Sequence, residues 1–388
     1  MDFDFTPRQQ EIYDIVGDLG KSRFGPRAAA LEAAGLSPVE NFKDLFDAGL
    51  IGGGISKEWG GIGGGALGED PLAALLVVEQ TARYCVSTAQ CVSLHYNLSH
   101  RLEAVGTAEQ KARIIPGIIQ QGHLVNGTAS EPGRTARGLY NLQTTAEKVD
   151  GGWVINGHKN YGTIADIAHY NIVSAVIKGG TVPEDHMTFM IPVGAPGFTI
   201  VADTWNPFGM RAAYSPDLVL KECFVADHNV LGPPGETASS RWQAKAHLGF
   251  AAQYLGGCEG VFDFLVDYLP KRGTASDAYT QLRLGEIRIA IDATRWLVYR
   301  AAWLWQKKEF AQAELFSMNA KHQALQTTRL VIDRAAQIAG SSALNADTVL
   351  ARHIRDLRYQ SLHENLDKTA ATVGKFHLGQ QFDVTARL

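Results

Sequence analysis

The sequence predicts an α+β protein in three parts: an all-helical N-terminal domain over 1–123, a central antiparallel β-barrel-like domain over 124–235, and a C-terminal four-helix bundle over 236–388. Three observations predict it. The stretch from about Leu124 to Gly232 interrupts an Ala/Leu/Glu/Gln/Lys/Arg-rich chain with YNIVSAVIK, MTFMIPV, GFTIVA and PDLVLKECFVA, β-branched and aromatic runs separated by Gly, Pro, Asp and Asn. Within it GWVINGHK alternates at a period of two, and Asp150-Gly151-Gly152 before it reads as a hairpin turn. Downstream, Leu284, Ile287, Ile291, Thr294, Val298, Ala301 and Trp305 hold a three/four spacing for about six turns. A helix that long, with others after it, favours antiparallel neighbours in a bundle.

From the N-terminus, Thr6-Pro7-Arg8-Gln9 is a helix start, with Thr as cap, Pro in the first turn and Gln closing a capping box. That helix is expected to run to about Arg23. A second, NFKDLFDAGLIG, stops at Gly49 or the glycines from Gly52 on. GGGISKEWGGIGGGALGEDP holds nine glycines in 20 residues and is a loop. It lacks the preceding strand, the spacing and the Lys-Ser/Thr ending of a nucleotide loop. Helix is expected from Pro71 to about Val105 with a break near Ser93. Thr107-x-x-Gln110 opens another through about Gln120. After the β stretch, helices resume near Ser240. One runs from about Ala311 to Ile338 before Gly340-Ser341-Ser342, and a last from Ala343 to Val373 breaks near Asn365.

Lys+Arg 36 against Asp+Glu 40 gives a net charge of -4 with both signs interspersed, so nothing draws the chain to nucleic acid. Cys85, Cys91, Cys223 and Cys258 lack paired metal-ligand spacing and sit in apolar runs, as buried free thiols do in a reducing compartment. The start MDFDFTPRQQ is not a secretion signal, and no run of about 18 apolar residues marks a membrane segment. A cytoplasmic protein is expected. No metal site is expected, since no His-x-x-x-His with a companion acid occurs, and no Gly-x-Ser-x-Gly elbow marks a hydrolase. Adjacent charges such as Arg355-Asp356 read as a structural ion pair.

Two polar clusters stand out in the β stretch: Asn126-Gly127-Thr128-Ala129-Ser130-Glu131-Pro132-Gly133 and Lys159-Asn160-Tyr161-Gly162-Thr163. Short hydroxyls and free backbone amides at strand ends suit the polar edge of a planar heterocycle. Turns carry the same residues for local reasons, so composition alone leaves both readings open.

The ordered set of motifs resembles the acyl-CoA dehydrogenase flavoprotein superfamily over nearly the whole chain. It comprises the early glycine-rich loop, Gly106-Thr107-Ala108-Glu109-Gln110-Lys111, Ala129-Ser130-Glu131-Pro132-Gly133, Ile155-Asn156-Gly157-His158-Lys159, Gly209-Met210-Arg211, the run from Val225 to Gly232, Gln337-Ile338-Ala339-Gly340 and Arg355-Asp356-Leu357-Arg358. The resemblance implies the same three-part fold, a homotetramer, and FAD or FMN between the β domain and the bundle. It implies Ser130 and Thr163 at the flavin's polar edge, Tyr161 near the ring, and Arg272 and Gln337 reaching the cofactor of a neighbouring subunit. Arginine suits a diphosphate through its paired, charge-assisted bonds. Ala275-Ser276 stands where the family's arginine is followed by Phe-Gly.

Departures from the dehydrogenase pattern bear on the reaction. Arg134-Thr135-Ala136-Arg137 follows Gly133 in place of the family's Gly-Ser-Asp, and His363-Glu364-Asn365 replaces Tyr-Glu-Gly. These features are closer to the superfamily's monooxygenase branch, which resembles dibenzothiophene, sulfone and amine oxygenases. The expected enzyme is therefore a two-component oxygenase taking reduced flavin from a separate reductase, with O2 and a small organic substrate. His95, Asn126 and His363 supply its polar contacts. The alternative is an acyl-CoA dehydrogenase with Glu364 as base, passing electrons to an electron-transfer flavoprotein. A non-catalytic scaffold of the same fold is a third.

Overall fold

The structure is a computed structural model describing residues 4–133, 142–363 and 365–381. The first helix, α1 (Pro7–Leu19), begins as the capping box requires: Gln9 N–H donates to Thr6 Oγ1 at 3.3 Å and Thr6 N–H to Gln9 Oε1 at 3.0 Å. It does not end near Arg23. A π turn over Gly20–Phe24 carries it into α2 (Gly25–Ala34), which closes on left-handed Gly35. The widened turn accommodates Pro26, which cannot donate to a regular ladder. Gly20 is required there, because a Cβ would lie 2.1 Å from the Tyr84 ring.

Helix α3 (Val39–Asp47) stops at Gly49 as expected. After the glycine loop come α4 (Pro71–Tyr84), α5 (Val86–Val105) and α6 (Ala108–Gln121). The break between α4 and α5 falls at Cys85, whose backbone is extended, and not near Ser93. Cys85 caps the new helix, its carbonyl accepting from Ala89 N–H at 3.1 Å and its Sγ from Thr88 Oγ1 at 3.1 Å.

The sheet comprises β1 (Val125–Thr128), β2 (Thr145–Val149), β3 (Gly152–Lys159), β4 (Tyr170–Ile177), β5 (His186–Pro192), β6 (Phe198–Val201) and β7 (Asp217–Ala226). It is a curled, mainly antiparallel half-barrel in the order β1-β4-β2-β3-β7-β6, with β5 on the other edge of β4. The exception is β4, which runs parallel to β1 and β2. Ala146, Ile155, Val173, Phe189, Ile191 and Val225 fill its inner face.

The bundle consists of α8 (Trp242–Arg272), α9 (Ala278–Gln306), α10 (Phe310–Ala339) and the shorter α11 (Val349–Ser361) with α12 (Leu366–His377), preceded by the single turn α7 (Glu236–Ser239). Asn365 caps α12, its Oδ1 accepting from Lys368 N–H at 3.0 Å. Helix α8 also packs on α4, so the bundle and the N-terminal helices share one continuous core. Gly256 and Gly260, one turn apart, let α8 approach the Glu79 and Arg83 carbonyls; Cβ atoms there would lie 1.9 and 2.1 Å from those oxygens.

Arg355 and Asp356 do not pair with each other. Consecutive helical residues diverge by about 100°, so they serve different elements. Arg355 bonds Glu32 Oε1 at 2.7 Å, while Asp356 accepts from Met210 N–H at 2.6 Å and from Ser87 Oγ at 3.1 Å. All four cysteines are free and buried. Among the described residues no helix is long and apolar enough to cross a membrane, and no three-residue group could hold a metal ion.

Candidate active site

The two polar clusters are bonded to each other. Asn160 N–H donates to the Ser130 carbonyl at 3.0 Å, Thr128 Oγ1 to the Asn160 carbonyl at 2.9 Å, and Asn126 Nδ2 to the Thr163 carbonyl at 2.8 Å. Beneath them lies an ion pair that motif reading did not single out. Lys159, completely buried, donates to Glu131 Oε1 at 2.9 Å, and Glu131 also accepts from Gln143 N–H, Thr144 N–H and Thr144 Oγ1. Burial pushes the Lys159 ammonium down to about 8, against the pull of Glu131. Burial works the same way against the Glu131 charge, but Lys159 and the Thr144 bonds outweigh it and hold its pKa below the ordinary carboxylate value. The signal was present: Lys159 shares the parity of Ile155 on β3, so its charge enters an apolar face and needs a partner.

Tyr161 sits at φ +59 and Ile164 at φ +55, left-handed conformations that bulky residues rarely adopt. Bonds on both sides impose them: Gly162 N–H to the Pro216 carbonyl at 2.9 Å and Ile164 N–H to the Tyr214 carbonyl at 2.8 Å. The result projects Tyr161 outward, half exposed, edge-on to Trp205, which in turn stands edge-on to Tyr359 of α11. Trp205 and Tyr359 were missed because they come from separate elements that only the fold brings together. Thr163 is buried, and its Oγ1 lies 2.9 Å from Ser215 Oγ and donates to it, because the one Ser215 hydroxyl proton goes to the Ala213 carbonyl.

Apart from Asn126, which is bonded into the cluster, the other predicted residues have their own surroundings. His95 is completely buried and its Nδ1 accepts from Val125 N–H of β1 at 3.2 Å, while burial lowers its pKa to about 4. Asn126 is also buried, its Oδ1 without a hydrogen-bond partner among the described residues. His363 occupies the turn between α11 and α12, stacked on Phe250 at 5.0 Å, and Glu364 lies outside the described residues. Arg272 and Gln337 end α8 and α10 at one end of the bundle. The Arg272 guanidinium lies over Gly340, and Gln337 Oε1 accepts from Arg283 Nε at 2.7 Å.

A helical domain, a curled β half-barrel and a helix bundle, with short hydroxyls gathered where strands meet helices, define a class of flavin-dependent oxidoreductases. Three family models match the chain: acyl-CoA dehydrogenase N-terminal domain over 6–122, middle domain over 128–223 and C-terminal domain over 248–368. The short-chain-specific acyl-CoA dehydrogenase of Clostridium acetobutylicum is 27% identical over 382 residues, covering 96% of this chain and 98% of that one. Butyryl-CoA dehydrogenase from Megasphaera elsdenii superposes with a TM-score of 0.88 at 24% identity, covering 97% of this chain and all 100% of its own. FMN-bound TdsC from Paenibacillus sp. A11-2, a dibenzothiophene monooxygenase, reaches 0.86 at 22%, covering 97% and 99%. The chain belongs to the acyl-CoA dehydrogenase flavoprotein superfamily.

The residues present fit a flavin. Ser130 Oγ makes no protein hydrogen bond among the described residues, and Thr163 Oγ1, donating to Ser215, keeps lone pairs to accept. Asn160 Oδ1 is buried without a hydrogen-bond partner among the described residues. An unspent donor and unspent acceptors beside an exposed aromatic ring match the rim and face of a heterocycle.

Proposed function

We propose that the protein is an FAD-dependent acyl-CoA dehydrogenase introducing an α,β double bond into an acyl thioester. This reverses the preference drawn from the departures at His363 and Arg134. The observation that carries it is the run of near-full-length relatives at 26–29% identity named for acyl-CoA substrates, whereas the likeness to TdsC, at 22%, is one of fold. The burial of His95 supports it too, since an oxygenase contact needs that ring open to a substrate.

In this reading Ser130 and Thr163 hold the polar edge of the cofactor, and Tyr161 borders its ring. A bound flavin supplies the hydride acceptor for the β-hydrogen. Glu364, by its register ten residues into the segment opened by Arg355, takes the α-proton as a carboxylate. His363, the residue before it in the chain, stacks on Phe250 of α8. An electron-transfer flavoprotein is the electron acceptor. The protein works as a homo-oligomer in which Arg272 and Gln337 reach a neighbouring copy's cofactor. Their place at one bundle end supports that role.

Anaerobic mixing of flavin-loaded protein with butyryl-CoA tests the reading: the flavin absorbance bleaches, and Glu364→Gln slows bleaching by about 10²–10⁴-fold with flavin still bound. A wild type that no straight-chain acyl-CoA reduces, yet that consumes O2 when given reduced flavin, would restore the oxygenase.

A further inference from the structure

A cavity of about 60 Å³ lies between the glycine-rich loop, α4, α5 and α8, away from the Ser130–Thr163 cluster. One wall is apolar, with Leu75 and Val78 of α4, and the loop side is closed by backbone at Gly64 and Gly65. That loop is fixed by His100, whose Nε2 accepts from Leu67 N–H at 3.1 Å and whose Nδ1 therefore donates to the Gly54 carbonyl at 3.0 Å. Both ring nitrogens are spent, and burial lowers the His100 pKa to about 4, so it is a neutral strut.

The Tyr96 hydroxyl is spent on the Leu50 carbonyl, and the three remaining polar side chains of the lining have donors to give. Ser93 Oγ makes no protein hydrogen bond among the described residues and lies against Gly249, where a Cβ would come within 2.4 Å of it. Asn97 Oδ1 is used by Trp242 Nε1 at 3.2 Å, which leaves its amide N–H bonds pointing to no protein acceptor among those residues. The Lys245 ammonium donates to the Ser240 carbonyl and has no carboxylate within ion-pair distance among them. Of its charged neighbours, Glu236 pairs through Oε2 with Arg101 at 2.6 Å while its Oε1 has no hydrogen-bond partner among the described residues, and Glu314 and Arg241 pair with each other at 2.5 Å. Glu69, exposed, lies over Gly63 of the loop. Burial lowers the Lys245 pKa. A half-enclosed cation with two neutral donors and no carboxylate of the cavity lining to meet it is matched by an oxyanion.

We propose that this cavity binds the carboxylate end of an ω-carboxyacyl thioester, with Lys245, Ser93 and Asn97 as its donors. The thioester part rests on the dehydrogenase reading; the carboxylate part rests on the cavity alone. Helix α8 connects the two, since Gly249 lines the cavity and the next residue, Phe250, stacks on His363, which precedes the proposed base in the chain. A methyl-ended chain would leave all three donors unpaired, which is how a polar pocket rejects an apolar analogue.

Two arms separate the two claims. Ligand-observed NMR on the flavin-loaded protein compares hexanoate with hexanamide, and flavin absorbance titrations compare an ω-carboxyacyl-CoA with the plain acyl-CoA of equal length. The carboxylate is expected to bind roughly ten- to hundred-fold tighter in each arm, as hydrogen bonds to a charged group contribute. Lys245→Met collapses both ratios and Lys245→Arg retains them, with thermal melting and flavin content confirming that each variant folds. Equal affinity for hexanoate and hexanamide, or a preference that survives Lys245→Met, overturns the proposal even if acyl-CoA bleaches the flavin. A Lys245-dependent preference for hexanoate, with no response to any acyl-CoA, upholds the carboxylate site and removes the dehydrogenase reading.

Discussion

Asp356 shows how one residue can tie three elements together at a cost. Its carboxylate receives Met210 N–H from the β domain and Ser87 Oγ from α5, yet burial raises its pKa to about 6. A buried acid whose native pKa lies above its unfolded value binds its proton more tightly when folded. Its contribution to stability is therefore greatest below about pH 4 and declines as the pH rises to about 6, by at most about 3 kcal/mol. Asp356→Asn should remove that slope, so the difference in urea-unfolding free energy between variant and wild type should shift towards Asn from pH 4 to 7. A difference that does not change with pH would mean the group is already ionised in the native state. Thr163→Val keeps the branched shape and removes the hydroxyl at the proposed flavin edge. Flavin affinity measured by ultrafiltration should fall about five- to ten-fold, the effect of one hydrogen bond near 1 kcal/mol. Unchanged affinity would take Thr163 out of the site.

Among elements, the seam between α8 and α4 depends on missing side chains. Gly256→Ala places a Cβ 1.9 Å from the Glu79 carbonyl, a backbone atom that cannot swing aside. The loss should be about 1–3 kcal/mol, read from the urea midpoint. Gly285→Ala in α9 meets nothing within 4 Å and should gain up to about 1 kcal/mol from helix propensity. The same substitution should thus take opposite signs in two long helices. Most helix ends were legible because a capping box or left-handed glycine is a local device, as at Thr6, Thr107 and Gly49. The break at Cys85 and the run through Pro26 were not, because contacts with Tyr84 and α8 set them, and such contacts have no local signature.

For the whole molecule, the outer face of α9 is unusual. Leu282, Ile289 and Trp296 recur every seven residues, with Tyr279 extending the row, and Ile289 and Tyr279 are each 72% exposed. Large apolar side chains seldom form such a row on a solvent-facing helix. The row starts at the bundle end that carries Arg272 and Gln337, in keeping with the homo-oligomer proposed above. Ile289→Glu together with Trp296→Glu should lower the sedimenting mass and loosen flavin retention. An assembly unchanged in mass would place the subunit contact elsewhere.

The sequence by itself determined the order of helical, β and helical parts, the glycine loop as a loop, and the two polar segments around Ser130 and Thr163, because alternation, capping and turn chemistry act between residues a few positions apart. Only the tertiary structure decided that Lys159 and Glu131 pair beneath those segments, that His95 is sealed against β1, and that Lys245, Ser93 and Asn97 share one cavity. Each joins residues far apart in the chain, and whether a polar group is buried, matched or left with a free donor depends on what packs against it.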